Sequence, residues 1–150
     1  MAEPSALSPT EVAVQVRRMV AGEEVSFADL FAADGLLEYP FDIPGIPREL
    51  RGQEAIRAHF AKAPASRAAF RIEDVSAIIH QTDDPEVVIT QIEHRGTSTV
   101  TGRPYRSRAL GIIRVRHGRI VHYQDYMDPI GTARMLGRTD ALVAALRAES

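Results

Sequence analysis

Between Ala68 and Asp128 the chain is cut three times by turn chemistry, at Thr82-Asp83-Asp84-Pro85, Thr101-Gly102-Arg103-Pro104 and His117-Gly118. The stretches between these breaks alternate apolar and polar residues with period two, the pattern of strands buried on one face. Loops this short join antiparallel neighbours, because a parallel neighbour needs a long crossover. Four strands in succession therefore make an antiparallel meander. Whatever else the chain does, it must cover the apolar face of that sheet.

The last of these strands, Arg119 to Met127, carries the main chemical puzzle. Val121, Tyr123, Asp125 and Met127 alternate with Ile120, His122, Gln124 and Tyr126, and Pro129 ends the run. The odd-numbered face is apolar and aromatic, yet it holds a carboxylate. An ionised carboxylate among apolar neighbours is costly unless it is paired, hydrogen-bonded or protonated. Asp125 is thus either an edge residue that reaches water or a proton-handling group in a pocket.

The elements upstream supply the cover. Ser8-Pro9-Thr10-Glu11 is a helix start, with Ser8 as cap, Pro9 at the first helical position and Glu11 completing a capping box. Val12, Val16, Met19 and Val20 then form one apolar stripe ending at Gly22. Ser26-Phe27-Ala28-Asp29 predicts a shorter second helix with Phe27, Leu30 and Phe31 inward, stopping near Asp34-Gly35, followed by a short strand from Gly35 to Phe41. Asp42 to Leu50, with its prolines and glycine, reads as a loop. Gly52 to about Ala63 predicts a third helix with Ile56, His59 and Phe60 on one face. Thr139 or Asp140 caps a last helix through Leu142, Val143 and Leu146. The expected layout is α+β, with helices on one side of a curved, mostly antiparallel sheet. Residues 1–7 read as a disordered start, and residues 8–150 as a single domain.

Composition closes off several functions. There is no cysteine, so disulfides, thiolate nucleophiles and sulfur-ligated metals are excluded. Charge is nearly balanced, with 18 basic against 20 acidic residues, and gives no support to a nucleic-acid or membrane partner. Arg103, Arg106, Arg108, Arg114, Arg116 and Arg119 spread over two neighbouring strands and read as a solvated outer face. The N-terminus lacks the basic and apolar regions of a signal peptide, and no apolar run approaches a membrane span, so a cytoplasmic protein is expected. There is no glycine-rich phosphate loop, no Gly-x-Ser-x-Gly elbow and no metalloprotease helix.

Asp29-Leu30-Phe31-Ala32-Ala33-Asp34-Gly35, Leu50-Arg51-Gly52-Gln53-Glu54-Ala55-Ile56, Thr101-Gly102-Arg103-Pro104-Tyr105 and the strand at 119–127, taken in order, resemble the SnoaL-like branch of the nuclear-transport-factor-2-like superfamily. The resemblance implies a cone-shaped α+β barrel, a curved sheet wrapped around the N-terminal helices and enclosing an apolar pocket. It also implies a homodimer packed through the outer sheet face. Members include ketosteroid isomerases, polyketide cyclases, limonene-type epoxide hydrolases and dehydratases. The aspartate that helps activate water in the epoxide hydrolases falls on Asp125, but their arginine and second aspartate fall on Ile92 and His94. The general-base aspartate of ketosteroid isomerases falls on Tyr39, and their oxyanion-side aspartate near Gly111. The local likeness to phenazine-biosynthesis A/B proteins is closer: they share the Thr-Asp-Asp-Pro turn and a helix histidine after an Arg-Gly pair, here His59. Their acid/base glutamate falls on Asp125.

In the family register Ser107, Ala109, Gly111, Ile113 and Val115 point inward, as do Val88, Thr90, Ile92 and His94. Small residues beside Asp125 leave room for a ligand. The candidate catalytic residues are Asp125, His59 and His94. The candidate substrate contacts are Tyr39, Tyr123, Ser107, Ala109, Gly111, Ile92, Met127, Phe31 and Phe60. Each has a bland alternative: His59 as a satisfied core histidine, Tyr39 and Tyr123 as core aromatics with bonded hydroxyls. His80, His117 and His122 read as loop or outer-face residues, and Arg108, Leu110, Ile112, Ile120, His122, Gln124 and Tyr126 as the dimer face. His59, His94 and Asp125 could in principle form a two-histidine, one-carboxylate set, but no spacing supports it, and neither metal nor cofactor is expected. The leading expectation is a cofactor-independent enzyme of proton transfer (isomerisation, cyclisation or dehydration) acting on an apolar, carbonyl-containing, polycyclic or polyketide-like small molecule. A binding or accessory dimer without chemistry is the alternative, and epoxide hydrolysis the third reading.

Overall fold

The computed structural model describes residues 5–62 and 68–149. The four predicted meander strands are present, as β3 (Phe70–Gln81), β4 (Val87–Ser98), β5 (Pro104–Arg116) and β6 (Arg119–Met127). Two strands precede them, β1 (Phe31–Glu38) and β2 (Glu49–Arg51), giving one six-stranded sheet in the order β2-β1-β6-β5-β4-β3. Among the described strands only the β1–β6 pairing is parallel. The β5–β6 hairpin turns on His117 and Gly118, both at positive φ (52° and 76°), the geometry that matches the twist of a two-residue hairpin.

Helix α1 (Pro9–Val20) starts as its sequence requires: Ser8 Oγ accepts from the Glu11 amide, and Glu11 Oε1 accepts from the Ser8 amide. It lays Val12, Ala13 and Val16, each at most 1% exposed, against the concave side of the meander. Helix α2 (Gln53–Ala61) follows Gly52, whose φ of +93° favours a residue without a side chain. Its Ile56 is fully buried, and Gln53 donates to the carbonyls of Ala28 and Phe31, tying the helix to β1. Ala63, the expected end of this helix, lies outside the described residues. Residues 1–4 of the expected disordered start do too, while Ala6 and Leu7 lie against Gly118.

Five expectations are corrected. The second helix is only a 3-10 turn, Ala28–Leu30, because Phe31 pairs with Ile120 and begins β1. Its Phe27, Leu30 and Phe31 spacing fits a helix, but pairing with β6 gives the backbone more partners than one isolated turn can. Glu49 and Leu50, at the end of the expected loop, join Arg51 in β2 (Glu49–Arg51), which pairs with β1. A helix α3 (Pro129–Met135) follows β6 directly, capped by Asp128, whose Oδ1 accepts from the Ile130 and Gly131 amides. Helix α4 (Thr139–Ala148) begins after Arg138 without a side-chain cap from Thr139 or Asp140. Finally, Ile120 is not on the outer face. Val115 pairs with Ile120 but Arg114 with His122, so Val121 is a bulge that flips the alternation and buries Ile120 completely.

The outer face matches the reading of its arginines as solvated. Glu93 takes Arg95, Arg106 and Arg108 at 2.8–3.0 Å, and Glu86 takes Arg114 and Arg116 at 2.9–3.0 Å. Hydrogen bonds from these guanidinium groups hold both carboxylates down at about 2. His80 pairs with Gln91 and His122 with Glu38 on the same side.

Candidate active site

The helices and the sheet flank a partly open cavity of about 160 Å³. Val16, Met19 and Val20 of α1 close it on one side, with Phe27 and Phe60 at the end. Ile92 and His94 of β4, Ser107 and Ala109 of β5, and Tyr123 and Asp125 of β6 line the sheet side, with Tyr39 at the end of β1. Phe27 is the hinge of the aromatic wall, edge-on to Phe31, Phe60 and Tyr123 at 5.1–5.4 Å.

Asp125 sits opposite Gly111 in the β5–β6 ladder. Protein packs around it on nearly every side, yet it keeps partial accessibility because it lines the cavity. Among the described residues no lysine or arginine lines that cavity. Burial without a countercharge penalises the anion, and the Asp125 carboxyl is pushed up to about 6. Of the two alternatives open in the sequence, the structure therefore favours a carboxyl that can hold or release a proton near neutral pH.

The other polar groups are phenols and an imidazole. Tyr39 and Tyr123 are 7% and 6% exposed, and burial, aided by the Asp125 charge, pushes both hydroxyls well above the usual phenol range. They remain protonated donors. The Thr90 hydroxyl is buried with no hydrogen-bond partner among the described residues. Burial holds His94 below its ordinary value, so it is neutral near pH 7.

The structure brings together Asp125, His94, Tyr39, Tyr123, Ser107, Ala109, Ile92 and Phe60. It does not bring His59 to them: that ring lies half-buried on α2, edge-on to Phe60 at 5.1 Å, outside the cavity lining. Ile56 takes the core-facing position, which turns His59 and Phe60 toward the rim. Phe31 is buried beneath Tyr123 rather than lining the space, and Met127 faces surface hollows beside Ile43 and Ile46. Gly111 also plays a different part. A Cβ there would stand 2.8 Å from Thr90 Oγ1 and 2.9 Å from the Tyr123 hydroxyl, so the missing side chain makes room for these two oxygens, not for a ligand. Among the described residues no three histidines or carboxylates gather as a metal site would require. Val16, Met19, Val20, Phe27 and Thr90 were not among the predicted site residues. The helical stripe and the inward register carried that signal, but either would serve a plain core equally well.

A model of the SnoaL-like domain matches residues 12–123, and the chain belongs to that family, within the nuclear-transport-factor-2-like fold. It is 29% identical over 136 residues to an uncharacterized PhzA/B-like protein of Pseudomonas aeruginosa, covering 90% of this chain and 94% of the relative. Among solved structures it is similar to an isomerase candidate from Bacillus subtilis, with TM-score 0.72, 24% identity and coverage of 89% and 98%. It also resembles a phenazine biosynthesis-related protein of Pseudomonas aeruginosa, with TM-score 0.58, 18% identity and coverage of 86% and 89%. These structural likenesses establish the shared fold. The family includes isomerases and cyclases. No helix among the described residues is long and apolar enough to cross a membrane.

Proposed function

We propose that this protein catalyses proton transfer at the carbon next to a carbonyl in a small apolar molecule, without a cofactor. One observation carries the reading: among the described residues Asp125 is the only carboxyl lining a largely apolar cavity, no lysine or arginine stands beside it there, and it is pushed up to about 6. A base poised near neutral pH can both take and return a proton. Asp125 carboxylate removes the α-proton, and the electron pair moves onto the carbonyl oxygen as an enolate. His94, Tyr39 or Tyr123 then donates a hydrogen bond to that oxygen. Return of the proton at another carbon gives isomerisation. Attack of the enolate on a second carbonyl, whose oxygen takes the proton from Asp125, gives cyclisation, and loss of a β-hydroxyl as water with that same proton gives dehydration.

The volume narrows the substrate. Drug-sized ligands occupy cavities of about 300–1,000 Å³, whereas about 150 Å³ is enough for benzene. A cavity of about 160 Å³ holds a single ring or a short chain, and its open side leaves the rest of a larger substrate room to project outward. Ile92 at the arginine position argues against epoxide hydrolysis, which needs a charged partner for its carboxylate. We also propose the homodimer through the outer sheet face, where exposed Ile78 stands near Leu110 and Tyr126 in a hollow of about 570 Å³.

The test is deuterium uptake from D2O into cyclohexanone, cyclohexenone, acetophenone and short-chain ketones. Uptake above the buffer rate that disappears in Asp125→Asn supports the assignment. Tight binding of such ketones with no accelerated exchange would assign the chain to a non-catalytic binding role instead.

A further inference from the structure

One polar contact of the cavity has no part in the chemistry described above. His94 on β4 pairs with Ser107 on β5, and Tyr105, two residues earlier, projects to the same face as its diagonal neighbour. The Tyr105 hydroxyl lies 3.0 Å from His94 Nδ1. Phe70 closes the third side, its ring centroid 5.5 Å from His94 and 5.7 Å from Tyr105. This aromatic clamp fixes the plane of a histidine that itself lines the cavity with Asp125.

A neutral imidazole has one N–H and one lone pair, and the partner of Nδ1 decides which nitrogen carries the proton. A phenol is the better donor of the two groups, and an unprotonated imidazole nitrogen the better acceptor. No other described residue accepts from the Tyr105 hydroxyl. The O–H therefore donates to Nδ1, and the ring proton sits on Nε2, the nitrogen left for a ligand. The charged or titratable groups nearby are Glu73 beside Tyr105, and Asp125, Tyr39 and Tyr123 around the cavity.

We propose that Tyr105 is a positioning residue that locks His94 in the Nε2–H tautomer, giving the cavity a fixed donor for a carbonyl or enolate oxygen. The use of that donor rests on the proton-transfer reading; the tautomer does not. It selects ketones, aldehydes and enolates over ammonium ions, which would bring a donor to a donor.

Two-bond proton–nitrogen correlation spectra of the whole chain near neutral pH read the tautomer directly. The wild type is expected to show a pyridine-type Nδ1 and a pyrrole-type Nε2 for His94. In Tyr105→Phe both nitrogen shifts move toward averaged values, and the His94 titration moves up, because the neutral ring has lost its donor. A protonated Nδ1 in the wild type, or a His94 titration that moves down or stays put in Tyr105→Phe, overturns the proposal. The wild-type spectrum decides the tautomer even if Tyr105→Phe does not fold. In the deuterium assay His94→Ala lowers kcat by about 100-fold with KM little changed. His94→Gln, whose amide donates near the Nε2 position, retains more of the rate and no longer responds to Tyr105→Phe. Wild-type exchange by His94→Ala beside a dead Asp125→Asn removes the donor role and leaves the base. Wild-type exchange by both removes the base, with the tautomer still decided by the spectrum.

Discussion

Replacing Asp125 with asparagine should stabilise the protein, by an amount that depends on pH in one particular way. The carboxyl titrates at 3.8 in an open chain and at about 6 in the fold. Below the lower value it is neutral in both states and folding costs nothing extra. Between the two values the unfolded chain releases the proton that the folded chain retains, so rising pH favours unfolding. Above the higher value both states are ionised and the penalty is constant. At about 1.4 kcal/mol per pH unit, the gap corresponds to roughly 3 kcal/mol. Asparagine does not titrate. The stability of Asp125→Asn minus that of the wild type should therefore rise by roughly 3 kcal/mol from about pH 4 and level off by about pH 7. Urea melts of both proteins at half-unit pH steps measure this difference. Ion pairs elsewhere, such as those of Glu86 and Glu93, weaken at low pH in both proteins and cancel. The asparagine amide adds only a constant offset. A difference that stays flat from pH 4 to 8 would refute the claim that Asp125 is buried without a partner.

Three further outcomes follow from the packing. Gly111→Ala drives a methyl into Thr90 Oγ1 and the Tyr123 hydroxyl and should cost about 1–3 kcal/mol, read as a lowered Tm. A second change of Thr90 to alanine should recover part of that loss, and unaltered stability in the single variant would contradict the crowding. Ile120→Ala should cost about 2–5 kcal/mol and Val121→Ala clearly less, the reverse of what unbroken alternation along β6 implies. Equilibrium sedimentation at micromolar concentration should find dimers that Ile78→Glu dissociates, while monomer alone in the wild type would remove the proposed interface.

The meander and α1 were legible because their signals are chemical and local: turn residues at Thr82–Pro85 and His117–Gly118, and a reciprocal cap at Ser8 and Glu11. Phe27 to Gly35 was not, because its apolar spacing satisfies a helix and a strand equally, and only pairing with β6 decides. Gly35 was part of that decision: a Cβ there would stand 2.8 Å from the Ile120 carbonyl oxygen. The bulge at Val121 is likewise a property of two strands, and one strand's pattern cannot reveal it. At the site, Asp125 was legible as a carboxylate on an apolar face. His59 misled because a helix face is broader than the strip that reaches the core, and Ile56 takes that strip. Tyr105 shares a face with Ser107 by simple period-two spacing, but its bond to His94 needs the register between two strands.

The central claim is a lone, proton-handling carboxyl in a small apolar cavity. Its most direct test is a carbon-13 NMR titration of the Asp125 side-chain carboxyl in the folded, ligand-free protein. The account predicts a midpoint of about 6. A midpoint near the ordinary aspartate value of ~3.9 would mean that water or an undetected partner satisfies the anion, and the acid/base role would fall with it.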